Sequence, residues 1–351
     1  MSVYIKGMGN ISPQKTWEEN GSLDQPLVYP GDKLSCHEPD YSKYVDPKQL
    51  RRMSRIIKMG VAAGSMALKQ AGVSVPNGII TGTAYGCLDD TGIFLNKMIE
   101  NKEYALNPTP FIQSTHNTIG SQIALLLQCQ GYNQTYTQGA FSFESALLDA
   151  LLELKDSPLQ SLLVGGVDEI TPVSHALQKR FGIFKREGNN LNLFDGRGKG
   201  TVNGEGAAYF VLSGEKNSEK QVCIDAVKML YKPEDAVLKK EIASFLETAS
   251  LKNTDIDLVL LGKSGNWKFD SKTDEISNMY FADSSIGLFK HLSGEYPTAA
   301  AFALWLAVKI VQENHMPKAV VFRDTNRPLK RVLIYNPYFG THHSLILLRA
   351  C

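Results

Sequence analysis

Along the chain, short runs of Val, Ile and Leu alternate with stretches in which apolar residues recur every three to four positions. The runs at 78–83 (GIITGT), 160–167 (QSLLVGGV), 207–212 (AAYFVL), 257–261 (DLVLL), 318–323 (KAVVFR) and 344–348 (SLILL) are continuous rather than alternating. Strands of that kind are covered on both faces, as in a sheet held between layers of helices. The helical spacing predicts helices over 49–72, 118–128, 142–155, 236–250 and 298–313. Strand–helix alternation of this sort predicts a layered α/β architecture. The most apolar stretch, Ala299 to Val311, is too short to span a bilayer and carries Lys309, so it is expected as a core helix.

A polar run at 213–220 (SGEKNSEK) separates two strand patterns and divides the chain into a first part, 1–215, and a second, 216–351. No sequence repeat relates them. At 351 residues the chain is long for one simple core, and one large body of two fused halves is expected. The net charge of +1 offers no broad basic field, which argues against nucleic acid or an anionic membrane as a partner. No charged segment followed by an apolar one opens the sequence, so a cytoplasmic protein is expected. The five cysteines (Cys36, Cys87, Cys129, Cys223, Cys351) are scattered and form no CxxC pair. Reduced thiols are expected, with neither a disulfide framework nor a zinc site.

Residues 135–154 (TYTQGAFSFESALLDALLEL) carry the most suggestive local pattern: a strand, an abrupt turn at Gly139-Ala140 and an amphipathic helix. Ala146, Leu147, Ala150, Leu151 and Leu154 share one helical face. Ser142 suits an N-cap, and Glu144 lies in the first turn, where the helix dipole favours negative charge. Many enzymes present a nucleophile on such an elbow, because exposed N–H groups and the dipole activate a thiol there. Here the turn residue is alanine.

Taken with several other segments in the same order, this stretch resembles the β-ketoacyl-(acyl carrier protein) synthases, condensing enzymes of the thiolase fold. The opening VYIKGMGNISP is similar to that family's first strand and turn. Residues 44–72 (YVDPKQLRRMSRIIKMGVAAGSMALKQAG) resemble its Asp-Pro-Lys helix and the next helix, and 163–172 (LVGGVDEITP) the strand after the nucleophile helix. The most specific likeness is 194–212 (FDGRGKGTVNGEGAAYFVL), with its Phe-Asp start and Gly-Glu-Gly-Ala series leading into a strand. The end, FGTHHSLILLR, is similar to the family's Gly-Thr-Asn-x-Ser-Leu strand. The resemblance implies a thiolase-like fold of two fused βαβαβ-type halves in an α-β-α-β-α stack, with no cofactor. Read from its residues alone, the Gly-rich 196–206 segment lacks the GxxxxGK[ST] phosphate pattern, and its glycines suit turns and tight backbone packing.

The family's chemistry rests on a cysteine that carries the acyl chain and two histidines that assist decarboxylation and stabilise the enolate. Its cysteine position falls on Ala140, with Gly139 the nearest alternative. Its first histidine, after the strand 257–261, falls on Gly262 or Lys263. Its second, after a Lys-x-x-x-Gly pattern, falls on Glu295, while the lysine remains as Lys290. All three catalytic residues are therefore expected to be absent. Phe141, Ser142, Tyr338, Thr341 and His342 are expected to line what is left of the pocket, with Phe143 crowding the path of an acyl chain.

His291 and His343 are weaker candidates, and His342 and His343, adjacent on a strand, should face opposite sides. His116 is expected to cap a helix or meet a neighbouring subunit. The basic run Lys48, Arg51, Arg52, Arg55, Lys58 reads as a solvated face, or as a surface for an acidic acyl carrier protein. Relatives that keep this fold without the cysteine include chain-length factors, which pair with an active ketosynthase through the strand before the elbow, here Asn133 to Thr137. The expected function is that of a non-condensing partner of an active ketosynthase in polyketide, aryl-polyene or fatty-acid-like synthesis. The alternatives are an acyltransferase or decarboxylase using Ser142 or Lys290, and a homodimeric acyl-binding scaffold.

Overall fold

The protein is described here by a computed structural model covering residues 2–18, 23–218 and 221–351. The last two residues of the polar run at 213–220 lie outside the described residues. Among the described residues eleven strands are formed: β1 Val3–Ile11, β2 Gly78–Gly82, β3 Tyr132–Tyr136, β4 Ser161–Asp168, β5 Gly206–Ser213, β6 Val222–Tyr231, β7 Leu258–Leu261, β8 Ser285–Leu288, β9 Val321–Arg323, β10 Arg331–Tyr338 and β11 His342–Ala350. The helices are α1 Pro47–Leu50, α2 Arg55–Ala71, α3 Leu88–Glu100, α4 Pro108–Gln113, α5 Thr118–Leu127, α6 Ser142–Asp156, α7 Pro172–Arg180, α8 Asp235–Thr248, α9 Trp267–Tyr280, α10 Lys290–Ser293 and α11 Ala299–Glu313.

The strands hydrogen-bond in the order β3-β2-β4-β5-β1-β6-β11-β10-β7-β8-β9. Within the first five, β2 runs parallel to β3 and β4, whereas β5 is antiparallel to β4 and β1. The order β8-β7-β10-β11-β6 repeats this plan, parallel up to β10 and antiparallel from β10 to β6. A duplicated topology therefore underlies two halves with no sequence repeat. The halves meet where β1 pairs with β6, at Val3↔Ile224, Tyr4↔Cys223 and Ile5↔Val222.

Helix α6, through Phe143, Ala146, Leu147, Ala150 and Leu154, shares one buried cluster with α11 and with strand residues of both halves, among them Ile80, Val164, Leu260 and Ile334. On the outer face of the first half, α2 and α5 form a second cluster with Ile79, Leu163 and Val211. On the outer face of the second, α8 and α9 form a third with Val259, Leu333 and Leu347. Five layers result, helices outside and between two sheet halves. Sheet strands covered on both faces must be apolar on both, which is why β2, β5 and β7 are buried along their whole length.

Three expectations are corrected. The helix predicted over 49–72 is two, because residues 51–54 break the chain between α1 and α2 and bury Met53. The strand predicted over 318–323 is shortened to β9, with Val320 O just before it still accepting from Leu288 N–H of β8. The cysteines are not all free: Cys223 and Cys351 are disulfide-bonded across 128 residues, while Cys36, Cys87 and Cys129 are free. The pairing is set by register: β11 runs antiparallel beside β6, with Arg349 opposite Cys223, and Cys351 N–H donates to Gln221 O. Spacing along the chain carries no trace of it.

Candidate functional site

The elbow forms where β3 ends. Gly139 takes φ +57°, a left-handed conformation that glycine adopts without strain, and begins a short 3₁₀ turn over Gly139–Phe141 that runs into α6. Ala140 is 3% exposed, although Thr137, Gln138 and Gly139 before it are exposed. Ser142 is not the helix cap that its position suggested; Phe141 occupies that place. Its hydroxyl donates to Gly139 O (2.7 Å) and accepts from Gln138 N–H (2.9 Å), pinning the turn, and the residue is fully buried. A hydroxyl tied on both sides is poorly placed to act as a nucleophile.

In the first turn of α6, Glu144 is fully buried and its carboxylate accepts from Ser344 Oγ at 2.7 Å, leaving Oε2 without a partner. Burial pushes its carboxyl up to about 7, with the Ser344 bond and the Lys290 charge holding it back. At the centre lies Lys290, fully buried, whose Nζ donates to Glu295 Oε2 (2.8 Å) and to Pro337 O (2.9 Å). Burial raises the Glu295 carboxyl to about 7; Lys290 opposes the rise and the Asp270 charge adds to it.

Backbone packing fixes Glu295. Gly294 and Gly204 stack back to back, so that a Cβ on Gly294 would lie 2.3 Å from Gly204 Cα, and Glu295 N–H donates to Val202 O at 2.8 Å. Gly204 belongs to the Gly-rich segment, whose close packing follows the sequence expectation. Gly262 directly follows β7, beside the same lysine. A Cβ there would sit 2.4 Å from Asn336 Oδ1 and 3.2 Å from Lys290 Cε, so no side chain fits without displacing its neighbours. Lys263 turns away to Asp274 (2.7 and 2.9 Å). Gly262, Lys290 and Glu295 are thus brought together, and Lys263 is not part of the group.

Next to Glu295 is a cavity of about 20 Å³, room for roughly one water, walled by Asp168, Glu169, Glu295, Tyr85 and Tyr338. Asp168 accepts from the N–H groups of Ala84 and Tyr85 and from the hydroxyls of Thr83 and Thr298, yet burial still lifts it to about 6. Glu169, lifted by burial to about 8, has one buried oxygen with no partner.

The model of the β-ketoacyl synthase N-terminal domain matches residues 11–218, more than half of the chain. The chain belongs to the β-ketoacyl synthase family. No curated protein sequence matches it. Among solved structures it is similar to the ishigamide ketosynthase/chain length factor (TM-score 0.81, 17% identity), with 100% of this chain and 99% of that one covered. It is also similar to a β-ketoacyl synthase from Burkholderia phymatum STM815 (0.80, 16%; 100% and 99% covered). A third similar structure is the ketosynthase ApeO in complex with its chain length factor ApeC from Xenorhabdus doucetiae (0.76, 15%; 100% and 98% covered). At these identities the likeness establishes the thiolase-like fold.

Against this family's centre, the remaining candidates separate clearly. Phe141, Tyr338, Thr341 and His342 come together: His342 meets Phe141 edge-on with centroids 4.7 Å apart, lies 6.1 Å from the Tyr338 ring, and pairs through Nδ1 with Thr341 Oγ1 at 2.9 Å. His343 faces the other way, as strand alternation requires, and its Nδ1 pairs with Tyr335 OH at 2.8 Å. His291 bonds Ala319 O at 2.8 Å through Nε2, and burial drops it to about 4, so it serves packing rather than the centre. His116 is exposed and caps nothing, the residue before α5 being Asn117. Arg55 leaves the predicted basic face: it makes two bonds to buried Glu205, each 2.6 Å, and one to Glu38. Among the described residues no cluster of His, Cys, Asp and Glu is placed to hold a metal ion, and no helix is long and apolar enough to cross a membrane.

The sequence did not single out Glu144, Asp168 or Glu169 as members of a buried acidic surround. The available signal was a carboxylate at the end of an apolar run (Asp168-Glu169 after LLVGGV) and one at the start of an apolar helix.

Proposed function

We propose that this protein is a non-condensing, chain-length-factor-like subunit that pairs with an active ketosynthase. The observation that carries the proposal is the state of the three positions where the family places its catalytic side chains. Ala140 offers no thiol at the elbow. Gly262 has no room for an imidazole, and Glu295 is committed to an internal pair with Lys290. We take these as a loss of condensation with the fold retained. The proposed substitutes are both buried and engaged, Ser142 with the elbow backbone and Lys290 with Glu295, which weighs against an acyltransferase or decarboxylase.

The surface that we assign to the partner is the outer edge of β3, which among the described residues pairs as a strand with β2 alone and is exposed over its first three residues. Tyr132, Leu125, Leu148 and Leu152 beside it are exposed apolar side chains on β3, α5 and α6. A free edge with such flanks is normally covered. Polyketide, aryl-polyene or fatty-acid-like synthesis, with an acyl carrier protein delivering to the active partner, is the setting we assign, and one similar solved structure is of a type II PKS acyl-carrier protein in complex with its ketosynthase.

The test is intact-protein mass after exposure to a panel of acyl-carrier and acyl-CoA thioesters, with an intact ketosynthase as the positive control. The expected result is no adduct on this chain and a stable complex with one ketosynthase on co-expression. A stoichiometric mass gain mapped to one residue would overturn the proposal.

A further inference from the structure

The elbow is closed by a ring cluster. Phe141, directly after Ala140, packs edge-on against His342 (4.7 Å), which in turn contacts Tyr231 (4.9 Å) and Tyr338 (6.1 Å), both edge-on. Tyr338 also meets Phe339 at 4.5 Å, and Lys232 Nζ lies 5.1 Å from the Tyr231 ring centre. The rings come from four separate places, the elbow turn, the end of β6, the end of β10 and the start of β11, with His342 touching three of them. Edge-to-face pairs of this kind interlock and resist sliding. The turn bearing Ala140 packs on β11, and Ala140 is nearly inaccessible although the loop before it is open to solvent. Tyr231 is 60% exposed, so the cluster reaches from the buried elbow to the surface.

We infer that Phe141, held edge-on by His342, which itself packs against Tyr231 and Tyr338, is a plug over position 140 that denies this subunit any acyl chain of its own. The inference rests on reading Ala140 as the family's nucleophile position. It adds a cause beyond the missing thiol: the apolar space that an acyl group needs is occupied by the chain's own side chains. With the plug in place this elbow is a closed wall, and removing it exposes position 140.

A thiol at position 140 reports the plug. Ala140→Cys is compared with the doubles Ala140→Cys/Phe141→Ala and Ala140→Cys/Tyr231→Ala for the rate of alkylation by iodoacetamide. Peptide mass spectrometry separates this site from Cys36, Cys87 and Cys129. The Tyr231 variant alters a mostly exposed residue, so an opening is tested even if the Phe141 double does not fold. The expected result is alkylation at least tenfold slower in the single variant than in a folded double. Equal alkylation rates in the single variant and a folded double would overturn the plug. The two ideas fail separately: an acyl adduct on the unaltered chain refutes the partner-subunit reading, whereas equal alkylation rates refute only the plug.

Discussion

Replacing Lys290 by Met tests the buried pair at the centre. Methionine keeps most of the side-chain volume and removes the ammonium, leaving the fully buried Glu295 without its 2.8 Å partner and Pro337 O without its donor. Breaking a buried pair by removing one member typically costs about 3–5 kcal/mol, because the other charge stays desolvated. A lost bond to a buried carbonyl adds about 1–3 kcal/mol at any pH. The pH dependence separates the two effects. In the natural chain the Glu295 carboxyl sits near 7, so above that pH it is ionised in the folded protein and also in the unfolded one, and contributes no slope. In the variant its folded value rises further, so the folded state keeps a proton that the unfolded state has released. Stability of the variant relative to the natural chain should then fall by about 1.4 kcal/mol for each pH unit above 7, and the difference should be nearly flat below it. Urea titrations at pH 6, 7.5 and 9 measure this directly. A Lys290→Met penalty that is the same at all three pH values, or below about 1 kcal/mol at pH 9, would refute the claim that Lys290 balances a buried carboxylate.

Three further outcomes are expected. Gly262→Ala should destabilise the protein by about 1–3 kcal/mol in urea, because its methyl would overlap Asn336 Oδ1; a neutral result would mean that the centre has slack. Reductant, or Cys223→Ser, should lower stability by about 2–5 kcal/mol through the loss of a 128-residue cross-link, and reductant should have no further effect on the Cys223→Ser protein. Thermal stability should fall between about pH 6.5 and pH 8. Buried Asp168, Glu144 and Glu169, raised to about 6, 7 and 8, favour the folded state below their unfolded values and lose that contribution as pH rises through 6 to 8. Buried His291 and His343, both lowered to about 4, lose theirs as pH falls from about 6.5 through 4. A midpoint that rises steadily from pH 5 to pH 9 would contradict the assignment.

Local order was written in the sequence because it depends on neighbours. Continuous Val, Ile and Leu runs marked β2, β4, β5, β7 and β11 as doubly covered strands, and three-to-four spacing marked α5, α6, α8 and α11 within a residue or two. The strand, abrupt turn and helix pattern of 135–154 placed Gly139-Ala140 at an elbow. The family resemblance added the fold and the positions Gly262 and Glu295. What depended on partners far along the chain was not legible. Arg55 looked like a surface cation because its partner Glu205 is 150 residues away. Cys223 looked free because Cys351 reaches it only through the β6–β11 register. Ser142 had the identity of a cap, but the 3₁₀ turn shifted it by one residue, and its hydroxyl found the elbow backbone instead. Whether Glu295 faces solvent or an ammonium, whether Gly262 leaves space for a side chain, and whether His342 meets three rings are questions of where separate strands and turns converge. Side-chain identity and periodicity specify an element and its faces. Only the assembled sheet, by bringing β7, β10 and β11 beside the elbow helix, decides which of those faces meet.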